Sequence, residues 1–103
     1  VCSYMKEHYS ENVSLEQLCK IAGVSRYSLI RYFTKYKKIT PYQYLESIRV
    51  NRAKLYLEQG TEPAEAAAMT GFSDQSHFTN FFKRLFGLTP AQYQRIFTDK
   101  KGY

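Results

Sequence analysis

The chain has little with which to do chemistry. Its 103 residues hold two cysteines, Cys2 and Cys19, with no Cys-x-x-Cys pair, and two histidines, His8 and His77, far apart in sequence. Neither a disulfide framework nor a clustered metal site is expected, and a reducing, cytoplasmic compartment fits this usage better. No nucleophile–base–acid set, glycine-rich phosphate loop or metal-ligand spacing occurs, and so short a chain leaves little room for a pocket. No enzyme and no cofactor are therefore expected. No window approaches the roughly 18 consecutive apolar residues of a membrane span, and Val1-Cys2-Ser3-Tyr4-Met5-Lys6 is not a signal peptide. Period-2 alternation bounded by turn residues is missing too, so no sheet is expected. The first residue is Val rather than Met, which reads as a piece of a longer protein.

What is plentiful is positive charge, unevenly placed. Fifteen Lys and Arg against nine Asp and Glu leave a net +6, which calls for an anionic partner, nucleic acid or a membrane surface. Residues 25–38 carry Arg26, Arg31, Lys35, Lys37 and Lys38 and no acid. Residues 75–98 carry Lys83, Arg84 and Arg95 and again no acid. The stretches between are neutral or acidic. A membrane-surface role would need a basic helix with an unbroken apolar face, and here the apolar faces are needed for a core.

Caps and period place seven helices. Val1, Tyr4, Met5 and His8 recur at helical spacing. Ser14-Leu15-Glu16-Gln17 is a capping box, followed by Leu15, Leu18, Cys19 and Ala22 on one face and stopped at Gly23. Ser25 caps a third helix whose Leu29, Phe33 and Tyr36 face inward. Thr40-Pro41 opens a long helix to Gln59, ended by Gly60. Its apolar edge shifts from Tyr44, Leu45 and Ile48 to Val50, Ala53 and Leu57, which suits a connector between two small bundles. Thr61 caps an alanine-rich helix through Met69. Ser73 or Asp74 caps the next, with Phe78, Phe81, Phe82 and Leu85 as its apolar face. Thr89-Pro90 opens the last, through Phe97. The expected organisation is all-α: a helix-turn-helix subdomain over 1–39, a connector over 40–60, a second helix-turn-helix subdomain over 61–97, and a frayed tail over 98–103.

The two halves repeat. Leu18 to Ser25, then Leu29, Phe33, Thr40-Pro41 and Tyr44, match Ala66 to Ser73, then Phe78, Phe82, Thr89-Pro90 and Tyr93. The offset is 48 residues before the turn and 49 after it. One supersecondary unit is thus used twice. Helix, glycine-containing tight turn, helix is a DNA-reading arrangement when its second helix is basic and exposed, and here the second helices fall in the acid-free segments.

Away from the Leu29/Phe33 stripe the first such helix presents Arg26, Tyr27, Ile30, Arg31 and Thr34. Arg31 can bond two-fold to guanine, Ile30 can touch a thymine methyl, and Tyr27 offers apolar contact plus a hydroxyl. The second presents Gln75, Ser76, Thr79, Asn80 and Lys83. Gln75 and Asn80 can pair with adenine, and short Ser76 and Thr79 allow close approach. Arg26, Lys35, Lys37, Lys38, Lys83 and Arg84 are candidate phosphate contacts. Arg49 and Arg52 on the connector can meet phosphate or pair internally with Glu46 or Glu16. Cys19 reads as inert packing, and His77 as half-buried or near a phosphate.

These residues carry a resemblance. Gly23-Val24-Ser25, Leu29, Phe33, Tyr44-Leu45, Arg49 and Ala53, and above all Gly71-Phe72-Ser73-Asp74-Gln75-Ser76-His77-Phe78, Phe82-Lys83, Gly87-Leu88-Thr89-Pro90 and Tyr93, resemble the DNA-binding domain of AraC/XylS-type bacterial transcription regulators. The resemblance implies two helix-turn-helix subdomains on a long helix, binding consecutive major grooves of double-stranded DNA. It places base readout at Tyr27, Ile30 and Arg31 and at Gln75, Ser76, Thr79 and Asn80. RNA polymerase is a further partner to expect, and an effector domain would lie outside this fragment. Pro63 and Ala66 stand where larger aliphatics are usual, so the second core is expected to be thin or repacked around Phe72. Gln94 and Asn80 stand where arginines are common. The rival class is a helical module that docks a protein partner through its Phe/Tyr-rich surface.

Overall fold

Five of the seven helices begin where the sequence offers a side chain to the free backbone N–H groups. In the computed structural model, which describes residues 1–101, with side chains to Phe97, Ser14 accepts from Gln17 N at 3.1 Å and Gln17 Oε1 accepts from Ser14 N at 2.9 Å. Thr40 with Gln43 and Thr89 with Gln92 repeat the same reciprocal pair, at 3.1 and 2.9 Å in both cases. These boxes satisfy donors that a helix start otherwise leaves open. The resulting elements are α1 (Cys2–His8), α2 (Leu15–Ala22), α3 (Arg26–Tyr32, continued by a π-helical turn over Phe33–Lys37), α4 (Pro41–Glu58), α5 (Pro63–Met69), α6 (Gln75–Phe86) and α7 (Pro90–Lys101). The described residues thus form seven helices and no strand, the all-α architecture expected.

Some local expectations change. Glu62, not Thr61, is the N-cap of α5, and it makes no side-chain cap bond; Pro63 at N1 fixes the entry instead. Of the two caps expected for α6, Asp74 is the one used, accepting from Ser76 N at 2.9 Å. α7 stays helical to Lys101, past the expected end at Phe97, and the rest of the tail, residues 102–103, lies outside the described residues.

The chain divides into two units, residues 1–48 and residues from Arg49 on, and the division falls within α4. The first unit is built on Met5, Leu18, Leu29, Phe33 and Leu45, with Tyr44, Ile48 and Cys19 among its half-buried flank. The second is built on Val50, Ala53, Leu57, Ala66, Ala67, Phe72, Phe78 and Phe82, flanked by Tyr56, Phe81, Phe86 and Tyr93. The shifting apolar edge of α4 is therefore shared out: Leu45 goes to one core, and Val50, Ala53 and Leu57 to the other. Phe72 does repack the second core over small Ala66 and Ala67. Two expected core positions are instead outside: Tyr36 is 63% exposed and Leu85 53%. Tyr36 lies in the π turn, whose wider winding carries it off the Leu29/Phe33 face. Leu85 lies near the end of α6, where Phe82 and Phe86 take the core-facing positions, their rings 4.6 Å apart. Ala22, the last residue of α2, is likewise exposed.

Candidate nucleic-acid interface

α3 with its π turn and α6 have the same length and the same register. Arg26–Lys37 is followed by Lys38 at φ 66°, and Gln75–Phe86 by Gly87 at φ 84°. Ser25 caps the first, accepting from Ser28 N at 3.2 Å, as Asp74 caps the second. The turn before each helix is closed by backbone bonds onto the preceding one: Gly23 N donates to Cys19 O at 2.8 Å in the first unit, and Phe72 N to Ala67 O at 3.0 Å in the second. Thr70, fully buried, ties down the second turn by donating to Ala66 O at 2.8 Å. Sequence reading had not singled it out, although a threonine ahead of the turn glycine was a visible signal. Each second helix is thereby held by one buried stripe, Leu29/Phe33 or Phe78/Phe82, with its opposite face free.

That face is where the candidates lie. Tyr27 is 72% and Ile30 40% exposed, and Arg31, Gln75, Ser76 and Asn80 are exposed as well. Thr79 is only half-buried. Thr34 spends its hydroxyl on its own helix, donating to Ile30 O at 2.9 Å. All six phosphate candidates are exposed: Arg26, Lys35, Lys37, Lys38, Lys83 and Arg84. Three of these cations already rest on rings: Lys35 is 5.3 Å from the centroid of Tyr36, Lys37 5.6 Å from that of Tyr44, and Arg84 5.6 Å from that of Phe81. Such contacts are worth less than about 1 kcal/mol at exposed sites and steer a side chain without immobilising it.

Three secondary candidates resolve differently. Arg49 is buried, 8% exposed, as is Glu46 at 5%, so Arg49 belongs to the interior of the fold. His77 is exposed rather than half-buried, with its ring near Phe72 and Phe81. Gln94 donates to Leu57 O at 3.0 Å and Thr61 O at 2.6 Å, joining α7 to the end of α4.

Beside each candidate face is a small groove built from matching positions. In the first unit it measures about 250 Å³ and is lined by Leu15, Ile30, Thr40, Pro41 and Tyr42 among others. In the second it measures about 230 Å³, and the same positions are Pro63, Thr79, Thr89, Pro90 and Ala91. The matching positions are common to both; both linings are mainly apolar, the second less so because Thr79 stands where the first has Ile30. No helix among the described residues is long and apolar enough to cross a membrane, and no metal-binding cluster occurs among them.

A family model described as a helix-turn-helix domain matches residues 18–96. A solved transcriptional regulator from Chromobacterium violaceum, described as containing an AraC-type DNA-binding domain, superposes with a TM-score of 0.85 at 29% identity, covering 92% of this chain and 86% of that one. The chain belongs to the AraC-type helix-turn-helix family. This AraC-type domain is also 59% identical over 77 residues, 75% of its length, to the uncharacterized HTH-type transcriptional regulator YbfI of Bacillus subtilis. The DNA-binding domain of AdpA, a global transcriptional factor solved in complex with a target DNA, matches with a TM-score of 0.89 at 28% identity over 97% of this chain and 91% of that one. Three of its curated relatives are matched over only 28%, 38% and 49% of their own lengths. The chain is thus an AraC-type DNA-binding domain that spans about a quarter to a half of the length of those three relatives.

Proposed function

We propose that this domain binds double-stranded DNA sequence-specifically by placing α3 and α6 in consecutive major grooves, about one helical turn or ~34 Å apart. One observation carries the proposal: two capped helices of equal length, each held by a single buried stripe, present acid-free outer faces of base-reading residue types. Tyr27, Ile30 and Arg31 read bases through the first, and Gln75, Ser76, Thr79 and Asn80 through the second. Arg26, Lys35, Lys37, Lys38, Lys83 and Arg84 neutralise phosphates, so log K falls against log salt with a slope of about −0.9 per phosphate contacted. AdpA, bound to its target DNA through a domain of the same fold, supports this assignment. The remainder of the full-length regulator would hold the effector domain, act in the bacterial cytoplasm and contact RNA polymerase, with no catalytic role for the present domain.

Binding sites selected from random duplexes, followed by gel shifts on the selected and a scrambled site, test the proposal. Arg31→Ala is expected to lose about 1–3 kcal/mol of discrimination at one or two base pairs, and Lys35→Ala to weaken binding to both duplexes alike. Equal losses on both duplexes for Arg31→Ala would remove it from base readout. Exposed Leu55, Leu85 and Ile96 favour a second, compatible role in docking a protein partner; salt-insensitive binding to duplex would leave that role standing alone.

A further inference from the structure

Lys38 is the one non-glycine residue with positive φ among the described residues, at φ 66° and ψ 13°. Gly23, Gly60, Gly71 and Gly87 share that region. A Cβ there crowds the neighbouring carbonyl, so lysine at this position strains the backbone where glycine does not. The internal repeat makes the contrast direct. Lys38 and Gly87 are the same position of the two copies, each ending a second helix of the same length, and the second copy takes the unstrained residue.

Nothing inside the fold offsets that strain. Lys38 is exposed and meets no carboxylate or aromatic ring among the described residues, whereas Lys35 and Lys37 rest on Tyr36 and Tyr44. The end of the helix is already supplied with cations by Lys35 and Lys37 in the same turn, so its dipole does not require a third. The ammonium of Lys38 is left pointing to solvent at the edge of an acid-free helix face. Strained residues persist where another interaction over-determines them, and the interaction that remains is with an anion outside the protein.

We infer that Lys38 is a phosphate-anchoring residue, held at a strained position for the sake of DNA binding, so that fold stability and DNA affinity oppose each other at this one residue. The inference rests on the duplex-binding proposal above and sharpens it: of the three lysines that end the first reading helix, Lys38 is the one whose charge is wholly available to the duplex.

Thermal unfolding and salt-dependent binding of the whole chain to a random-sequence DNA duplex test this together. Lys38→Gly is expected to raise the unfolding midpoint by about 4–8 °C. The same variant should weaken duplex binding about two- to fivefold at low salt and make the salt slope shallower by about 0.9. Lys38→Gln should weaken binding equally with no rise in midpoint, since it keeps the Cβ and loses only the charge. Lys38→Arg should keep both the wild-type midpoint and the wild-type slope. A Lys38→Gly midpoint that falls or stays level overturns the inference, as does an unchanged affinity and slope in that variant while Lys35→Ala weakens binding. Absence of salt-dependent binding by the wild-type chain would overturn the duplex-binding proposal itself, and this inference with it.

Discussion

The two units of this domain share a register and fill it differently. In the first, Leu18 is buried and Val24, on the far side of the turn, is 41% exposed. In the second, the matching positions are Ala66, fully buried, and Phe72, only 7% exposed. Bulk removed from the helix before the turn is returned by the residue after it. The fold therefore asks for a total volume beneath the turn and not for a particular side chain at each place, as expected where close packing is the constraint. The same exchange of means appears at the matching tyrosines. Tyr44 has the Cys2 thiol as its polar neighbour, while the Tyr93 hydroxyl donates to the Glu58 carboxylate. Lys54 also stands 5.7 Å from the Tyr93 ring and 5.1 Å from that of Phe86.

If volume is what matters under the turn, the units should respond unequally to truncation. Phe72→Ala is expected to cost about 3–5 kcal/mol, with a cavity opening against Ala66 and Ala67, and Val24→Ala well under about 1 kcal/mol. Urea unfolding measures both. Adding Ala66→Leu to Phe72→Ala should recover part of the loss, a coupling that a double-mutant cycle reads directly; simple additivity would break the exchange.

A smaller effect tests the helix ends. Gly87 has open space around the position a Cβ would take, so Gly87→Ala meets backbone strain alone and should cost about 1–2 kcal/mol by denaturant titration. A neutral result would mean that the left-handed end is tolerated at both copies.

The starts of the matching first helices differ by one cap. Ser14 closes a complete box on α2, and Glu62 caps α5 with nothing from its side chain. Ser14→Ala is expected to lose about 1 kcal/mol, and Glu62→Ser to gain up to that amount. Helicity and the unfolding midpoint should move in opposite directions for the two variants.

The last difference shows only at high pH. Burial first, then the hydrogen bond to Glu58 and its charge, push the Tyr93 phenol up to about 12. Tyr44 moves the same way, chiefly by burial. An unfolded tyrosine ionises near pH 10, so the protonated phenol favours the fold. That contribution is complete below about pH 10 and is lost as the pH climbs toward 12. The unfolding midpoint should decline over that interval, and less steeply in Tyr93→Phe than in Tyr44→Phe, since the carboxylate partner is found only in the second unit. Equal slopes would mean that burial alone sets both values.

Much of the domain was legible before any coordinates. Ser14, Thr40 and Thr89 announced their helices because a cap is a bond between residues three apart, and such bonds are written in adjacent sequence. The repeat and the two acid-free segments were equally local, and they singled out α3 and α6 as the helices proposed to read bases. What stayed hidden depended on distant neighbours. Tyr36 and Leu85 have the spacing of core residues and are exposed, because a π turn and the position of Phe86 decide otherwise. Val24 and Phe72 occupy one register position and have opposite fates, which no periodicity distinguishes.

The sequence by itself determined the number of helices, most of their starts and stops, the duplicated plan and the sign of the charge on each outer face. All of these follow from interactions within a few residues along the chain. Only the tertiary structure decided which side of each helix is covered, that Arg49 is interior, and that Lys38 takes the left-handed backbone its counterpart gives to glycine. Burial and strain are set by what packs against a residue, and those partners come from elsewhere in the chain.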